Sequence, residues 1–189
     1  MANKDAAFGL RPIGKVGQNA DNNGLSEYDI AASASAIYFQ DPVEILSTGT
    51  IGVAAATDAL LGSLNGVFFT DATTSKPTFA NHLNASNTAT DIKGFVTDDP
   101  YQRYEVQSDN SGASAQTDIG NVADIVYAAG SSPDYVSKVE LDDSDLATSD
   151  GQLKVIGVSR DPENSDLTSA NVNFVVTINE HFLKQEAGV

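Results

Sequence analysis

Val172-Asn173-Phe174-Val175-Val176-Thr177-Ile178-Asn179 decides the fold class of this chain. Val172, Phe174, Val176 and Ile178 alternate with Asn173, Val175, Thr177 and Asn179. Successive side chains of a strand point to opposite faces, so a period of two predicts a half-buried strand here. Tyr104 and Val106, set among Arg103, Glu105 and Gln107, predict a second strand of the same kind. Shorter candidates are Ala36 to Phe39, Val43 to Leu46, Val67 to Thr70, Ile92 to Thr97, Ala123 to Tyr127 and Leu153 to Val158. Turn chemistry separates them: Asp41-Pro42 before Val43, Asn65-Gly66 before Val67, Ser132-Pro133-Asp134, and Asp150-Gly151. Helical turns are expected only near Thr57 to Leu61 and Thr117 to Val122. The small-residue stretches Ala31 to Ala36 and Ala54-Ala55-Ala56 read as flat strands or as loops. Strands at this density predict an all-β sandwich or barrel with few short helices.

The N-terminal residues 1–24 differ from the rest. They hold three of the ten basic residues (Lys4, Arg11, Lys15) and one apolar cluster, Phe8-Gly9-Leu10-Arg11-Pro12-Ile13. A polar, turn-rich stretch, Gln18 to Gly24, follows. Pro12 blocks a continuous helix, and a segment this poor in apolar residues cannot fold alone. It reads as an extended arm and linker, with residues 25–189 forming the β-rich domain. A boundary near Asp98-Asp99-Pro100 would divide that domain into two β lobes; one continuous domain fits equally.

Charge narrows the function. Twenty-six acidic residues face ten basic ones, a formal net charge of −16. Nucleic-acid binding depends on Lys and Arg neutralising phosphates, so DNA and RNA are not expected partners. With 189 residues, 41% of them hydrophobic, the chain can bury a real core. It has no cysteine, which removes disulfides and thiolate chemistry. No apolar signal region is visible over Met1 to Lys15, and no run approaches the roughly 18 apolar residues of a membrane span. A soluble compartment is expected.

Reactive constellations are sparse. The two histidines, His82 in a polar stretch and His181 after the last strand, lack the spacing of metal ligands. No G-x-S-x-G elbow accompanies them. Asp142, Asp143 and Asp145 cluster ahead of Asp150-Gly151, without the calcium-loop pattern, and read as a solvated acidic loop. Gly14-Lys15-Val16-Gly17 lacks the phosphate-loop spacing. Neither catalysis, a cofactor nor a small-molecule substrate is expected.

Several stretches carry a family likeness. They are Met1-Ala2-Asn3 with Ala7-Phe8-Gly9-Leu10-Arg11-Pro12, then Asp41-Pro42-Val43, then Tyr104-Glu105-Val106-Gln107. Asp118-Ile119-Gly120-Asn121-Val122-Ala123-Asp124, Leu153 to Val158 and Val176 to His181 follow in order. This series resembles the head decoration (cement) proteins of tailed phages over most of the chain, with no match over Ser47 to Asn87. The resemblance implies a structural protein, present in many copies on the outer surface of the virion capsid and made in the host cytoplasm. It implies the major capsid protein as partner, trimers at local three-fold positions, and no catalytic residue.

For such a role the arm is the candidate contact, through Phe8, Leu10, Arg11, Pro12, Ile13 and Lys15. Burying Phe8, Leu10 and Ile13 would contribute roughly 1.5–3 kcal/mol each. Ordering about a dozen arm residues would cost about 1–2 kcal/mol apiece. Apolar anchoring alone therefore loses. Docking needs strand-addition hydrogen bonds and several arms acting together, which predicts a homotrimer. Arg11 and Lys15 would pair with acidic groups on the shell or stay solvated. The alternative function is a tail or fibre module for host-surface or carbohydrate attachment, with Tyr101, Tyr104, Tyr127 and Tyr135 as its aromatic platform.

Overall fold

The computed structural model describes residues 2–18, 24–109, 111 and 114–184. The chain is all-β. In order, its strands are β1 (Arg11–Lys15), β2 (Ser26–Asp29), β3 (Pro42–Ile45), β4 (Ile51–Val53), β5 (Gly62–Thr70) and β6 (Pro77–Ala80). The second half adds β7 (Lys93–Thr97), β8 (Gln102–Gln107), β9 (Val122–Ala123), β10 (Ile125–Val126), β11 (Glu140–Leu141), β12 (Leu153–Val158) and β13 (Asn173–Ile178). Among the described residues, helix is confined to three-residue 3-10 turns at Val16–Gln18, Gln116–Asp118 and Phe182–Lys184.

Two antiparallel sheets carry the fold. One runs β1-β8-β13-β12-β9; the other runs β2-β7-β5-β3-β4, with β6 beside the far half of β5. The chain leaves the second sheet at Thr97 and enters the first at Gln102. Each sheet has its own core. Tyr104, Val106, Leu153, Val155, Phe174, Val176 and Ile178 pack together under the β10–β11 ribbon, joined by Leu10 and Leu60. Ile30, Val43, Ile51, Leu64, Val67, Ile92 and Val96 form the second core. The alternating residues of β13 therefore point where their period predicts, with Phe174 and Val176 fully buried.

Backbone bonds join the sheets. Leu60 and Glu180 pair (2.9 Å), and the amide of Phe182 donates back to the Leu60 carbonyl (2.9 Å). The Gln152 side-chain amide donates to the carbonyls of Ala55 (2.8 Å) and Asp58 (2.6 Å). Burying an amide costs little when each of its polar atoms is satisfied.

Four local expectations fail or shift. Asn65-Gly66 is no turn: it lies inside the nine-residue β5, where the register against β7 shifts between Leu64 and Gly66. Leu64 and Val67 are three apart yet both buried. Only an extra residue in the strand allows that, so the Asn-Gly pair marks a bulge. Ala36 to Phe39 makes single bridges at Ile37 and Phe39 instead of a strand. Thr57 to Leu61 contains no helix, and the expected turn at Thr117 to Val122 shrinks to Gln116–Asp118 because Val122 pairs with β12.

The largest correction concerns the arm. Residues 3–16 are sewn onto the domain. The Asn3 side chain donates to the carbonyls of Asp166 and Ala170 (both 2.9 Å) and accepts from the Asp166 amide (3.2 Å). Gln107 holds the next turn, accepting from the Ala6 amide (2.8 Å) and donating to the Lys4 carbonyl (3.0 Å). β1 then pairs with β8, from Arg11 opposite Glu105 to Lys15 opposite Gln102. The physical reason is the unsatisfied edge of β8, which lies beside a fully buried slot for Leu10. The linker expected at Gln18 to Gly24 falls mostly outside the described residues.

Candidate functional site

The six candidate contact residues separate into three groups. Leu10 is 0% exposed; its amide donates to the Gln40 carbonyl (2.9 Å) and its carbonyl accepts from the Ser63 hydroxyl (2.7 Å). It belongs to the core and cannot reach a partner without leaving it. Arg11 and Lys15 pair within the chain, Arg11 with Glu105 and Lys15 with Asp99 (2.7 Å). The Arg11 guanidinium also lies over the Phe8 ring, 4.4 Å from its centre. Pro12 and Ile13 remain on the surface, with Ile13 44% exposed.

Pro12, Ile13 and Lys15 line one side of a cleft of about 780 Å³ where the two sheets meet. Leu25, Asp99 and Leu183 line other parts of it. Three of its apolar residues stand open to solvent: Ile13, Leu25 and Leu183. Val16 and Tyr101, also exposed, flank it, and the Val16 amide donates to the Tyr101 carbonyl (2.9 Å). A rim of exposed aliphatic and aromatic residues around a concave seam is the usual form of a docking surface. Its floor is charged. Asp98 accepts from the Tyr28 hydroxyl (2.6 Å), and Lys15 holds the Asp99 carboxyl below the usual carboxylate range.

Periodicity could not reveal this cleft, because its residues come from β1, the approach to β2, the Asp98–Pro100 crossover and the last 3-10 turn. Asn3, Gln107 and Gln152 were equally invisible, since polar residues lie by default at the surface. The only local hint was Gly9. Its φ is +76°, and a methyl there would sit 2.4 Å from the Gln40 carbonyl oxygen, so only glycine lets the segment turn into the slot.

Of the four tyrosines expected as an aromatic platform, Tyr104 is lost to the core, while Tyr101 and Tyr127 stay exposed. Tyr104 is wholly buried and its hydroxyl donates to the Thr97 carbonyl (2.8 Å). Tyr135 stacks face to face on His82 at 3.8 Å, and the Lys184 ammonium covers Tyr101 at 4.7 Å. His181 is buried, and burial pushes its imidazole down to about 4. Among the described residues no group of three or more His, Cys, Asp or Glu could hold a metal ion. No helix among them is long and apolar enough to cross a membrane.

Asp41, at the start of the Asp41-Pro42-Val43 stretch, is fully buried beneath the N-terminal segment. Burial pushes its carboxyl up to about 6, against hydrogen bonds from Ser137 and the Tyr38 amide. Charging it costs the folded state, so its stabilising contribution is complete below about pH 4 and is lost as pH rises through about 6. Glu140, raised to about 7 by burial and by Asp5 and Asp109, has the same sign. His181 opposes them, losing stability as pH falls from about 6.5 towards 4. Asp41→Asn keeps an acceptor for the Tyr38 amide and removes the buried charge. It should stabilise the protein by about 1–3 kcal/mol near pH 8 and much less near pH 5. Thermal melts of both proteins across that range check the sign.

No family model, curated protein or solved structure matches the chain.

Proposed function

We propose that this chain is a structural protein of a tailed-phage head, a decoration protein that binds the outside of the expanded capsid and holds neighbouring capsomers together. One observation carries the reading. Five of the six stretches that resemble that family reach β1, β8, β9, β12 and β13, the five strands of one sheet, while Asp41-Pro42-Val43 lies on β3 of the other. Short matches scattered by chance would not gather so strongly on one sheet. The acidic surface fits a protein that faces solvent on a particle and has no contact with DNA.

The shell contact in this reading is the seam cleft, with Ile13, Leu25 and Leu183 as its apolar rim, in place of a free arm. The partner is the major capsid protein. Several copies acting together, as in a trimer, supply the affinity that one small rim lacks. The role requires contact area and no catalytic step.

Purified protein should rebind heads stripped of it and raise their melting temperature. Ile13→Ser combined with Leu183→Ser should weaken rebinding by at least about tenfold while the domain stays folded, since both side chains are about half exposed. Cosedimentation with the heads measures this. Absence of binding at every ionic strength would overturn the reading.

A further inference from the structure

The second sheet presents an aromatic strip that neither core uses. Phe68 on β5 lies directly opposite Phe79 on β6, with ring centres 4.8 Å apart. Phe95 on β7 lies 6.4 Å from Phe79. The inward residues of these strands, Leu64, Val67 and Val96, are fully buried, so the three rings belong to the outer face. Phe79 is 74% exposed, the most open large apolar side chain among the described residues.

The strip is held in place. Asp71 closes the β5–β6 hairpin, accepting from the amides of Thr73 (3.1 Å) and Thr74 (2.7 Å) and from the Thr74 hydroxyl (2.8 Å). A preorganised aromatic face loses little entropy when it is covered. Beside it, Lys93 on β7 reaches Asp29 (2.7 Å) and Glu27 (3.4 Å) on β2. The margin thus carries both signs of charge on adjacent strands, in a chain whose net charge is −16.

We propose that this face is where a second copy of the chain docks. Two molecules of net charge −16 repel wherever their surfaces are uniformly acidic. They can approach where each presents a cation and carboxylates side by side, because Lys93 of one copy can then face Glu27 or Asp29 of the other. The margin is complementary to itself, and the rings supply the apolar centre. Phe79 supplies the open apolar centre, with Phe68 and Phe95 partly buried beside it as its base. This inference names the self-association surface that the multivalent reading above requires. The seam cleft is left free for the shell.

Sedimentation of the purified full-length chain, without heads, tests it. Wild type should be oligomeric at micromolar concentration. Phe79→Thr, a strand former at an exposed position, should keep the wild-type melting behaviour at monomer-level concentration and weaken association by at least about tenfold. Lys93→Glu, which leaves carboxylates alone at the margin, should do the same. A monomeric wild type, or a Phe79→Thr variant that associates like wild type, would overturn the proposal. If wild type is monomeric and Phe79→Thr instead loses head binding, the shell occupies the strip and the proposal fails in that way. A wild type that associates through this strip yet fails to bind heads would count against the decoration reading alone.

Discussion

Leu10→Ser should destabilise the protein by about 3–5 kcal/mol, because it empties a fully buried slot and puts an unpaired hydroxyl there. At about 2–4 °C per kcal/mol for a chain of this size, the melting temperature should fall by roughly 10 °C. Ile13→Ser, three residues on and half exposed, should cost under about 1 kcal/mol. The contrast separates two descriptions of the N-terminal segment. A free arm predicts that both variants melt like wild type and differ only in what they bind. An edge strand anchored by Leu10 predicts a large loss for one and almost none for the other. Circular-dichroism melts of the two variants decide between them.

Gly62→Ala should be as damaging for a different reason. A methyl there would lie 2.1 Å from the carbonyl oxygen of Thr97 and 2.9 Å from its carbonyl carbon. Those are backbone atoms of the neighbouring strand, paired with Ser63, and they cannot swing aside as a side chain could. β5 and β7 must part locally, at a cost above about 3 kcal/mol. Gly49→Ala is the control. Gly49 has φ of +77° with nothing within 4 Å of the added methyl, so it costs only the backbone strain of about 1–2 kcal/mol. Equal melting temperatures for the two variants would contradict the strand spacing described above.

These two sites show where sequence reading succeeds and where it stops. Asn173–Ile178 and Gln102–Gln107 were legible from the alternation of their apolar residues, although Glu105 and Gln107 of the second are buried as well, where the N-terminal segment pairs with that strand. β5 was half legible: its bulge at Gly66 resets the alternation, so only Val67 to Thr70 stood out, and the Asn-Gly pair imitated a turn. The N-terminal segment was misread for a deeper reason. Its partners, Glu105, Gln107 and Asp166, lie about 94 to 163 residues away, and no local pattern announces a contact at that distance. A lone leucine between Gly9 and Arg11 looks the same in a tail and in a core. The cleft was partly legible, since Pro12, Ile13 and Lys15 were singled out as candidate contacts and line it, but were grouped with Leu10, which is buried. The aromatic strip was missed altogether. Phe68, Phe79 and Phe95 come from three strands and become neighbours only through register.

The proposed role on the head is most directly tested by a cryo-EM map of the virion at side-chain resolution. The account predicts the two-sheet fold in many copies on the outer capsid surface, with the Ile13, Leu25 and Leu183 rim against the major capsid protein. The same fold found only in a few copies on the tail, or missing from the particle, would contradict it.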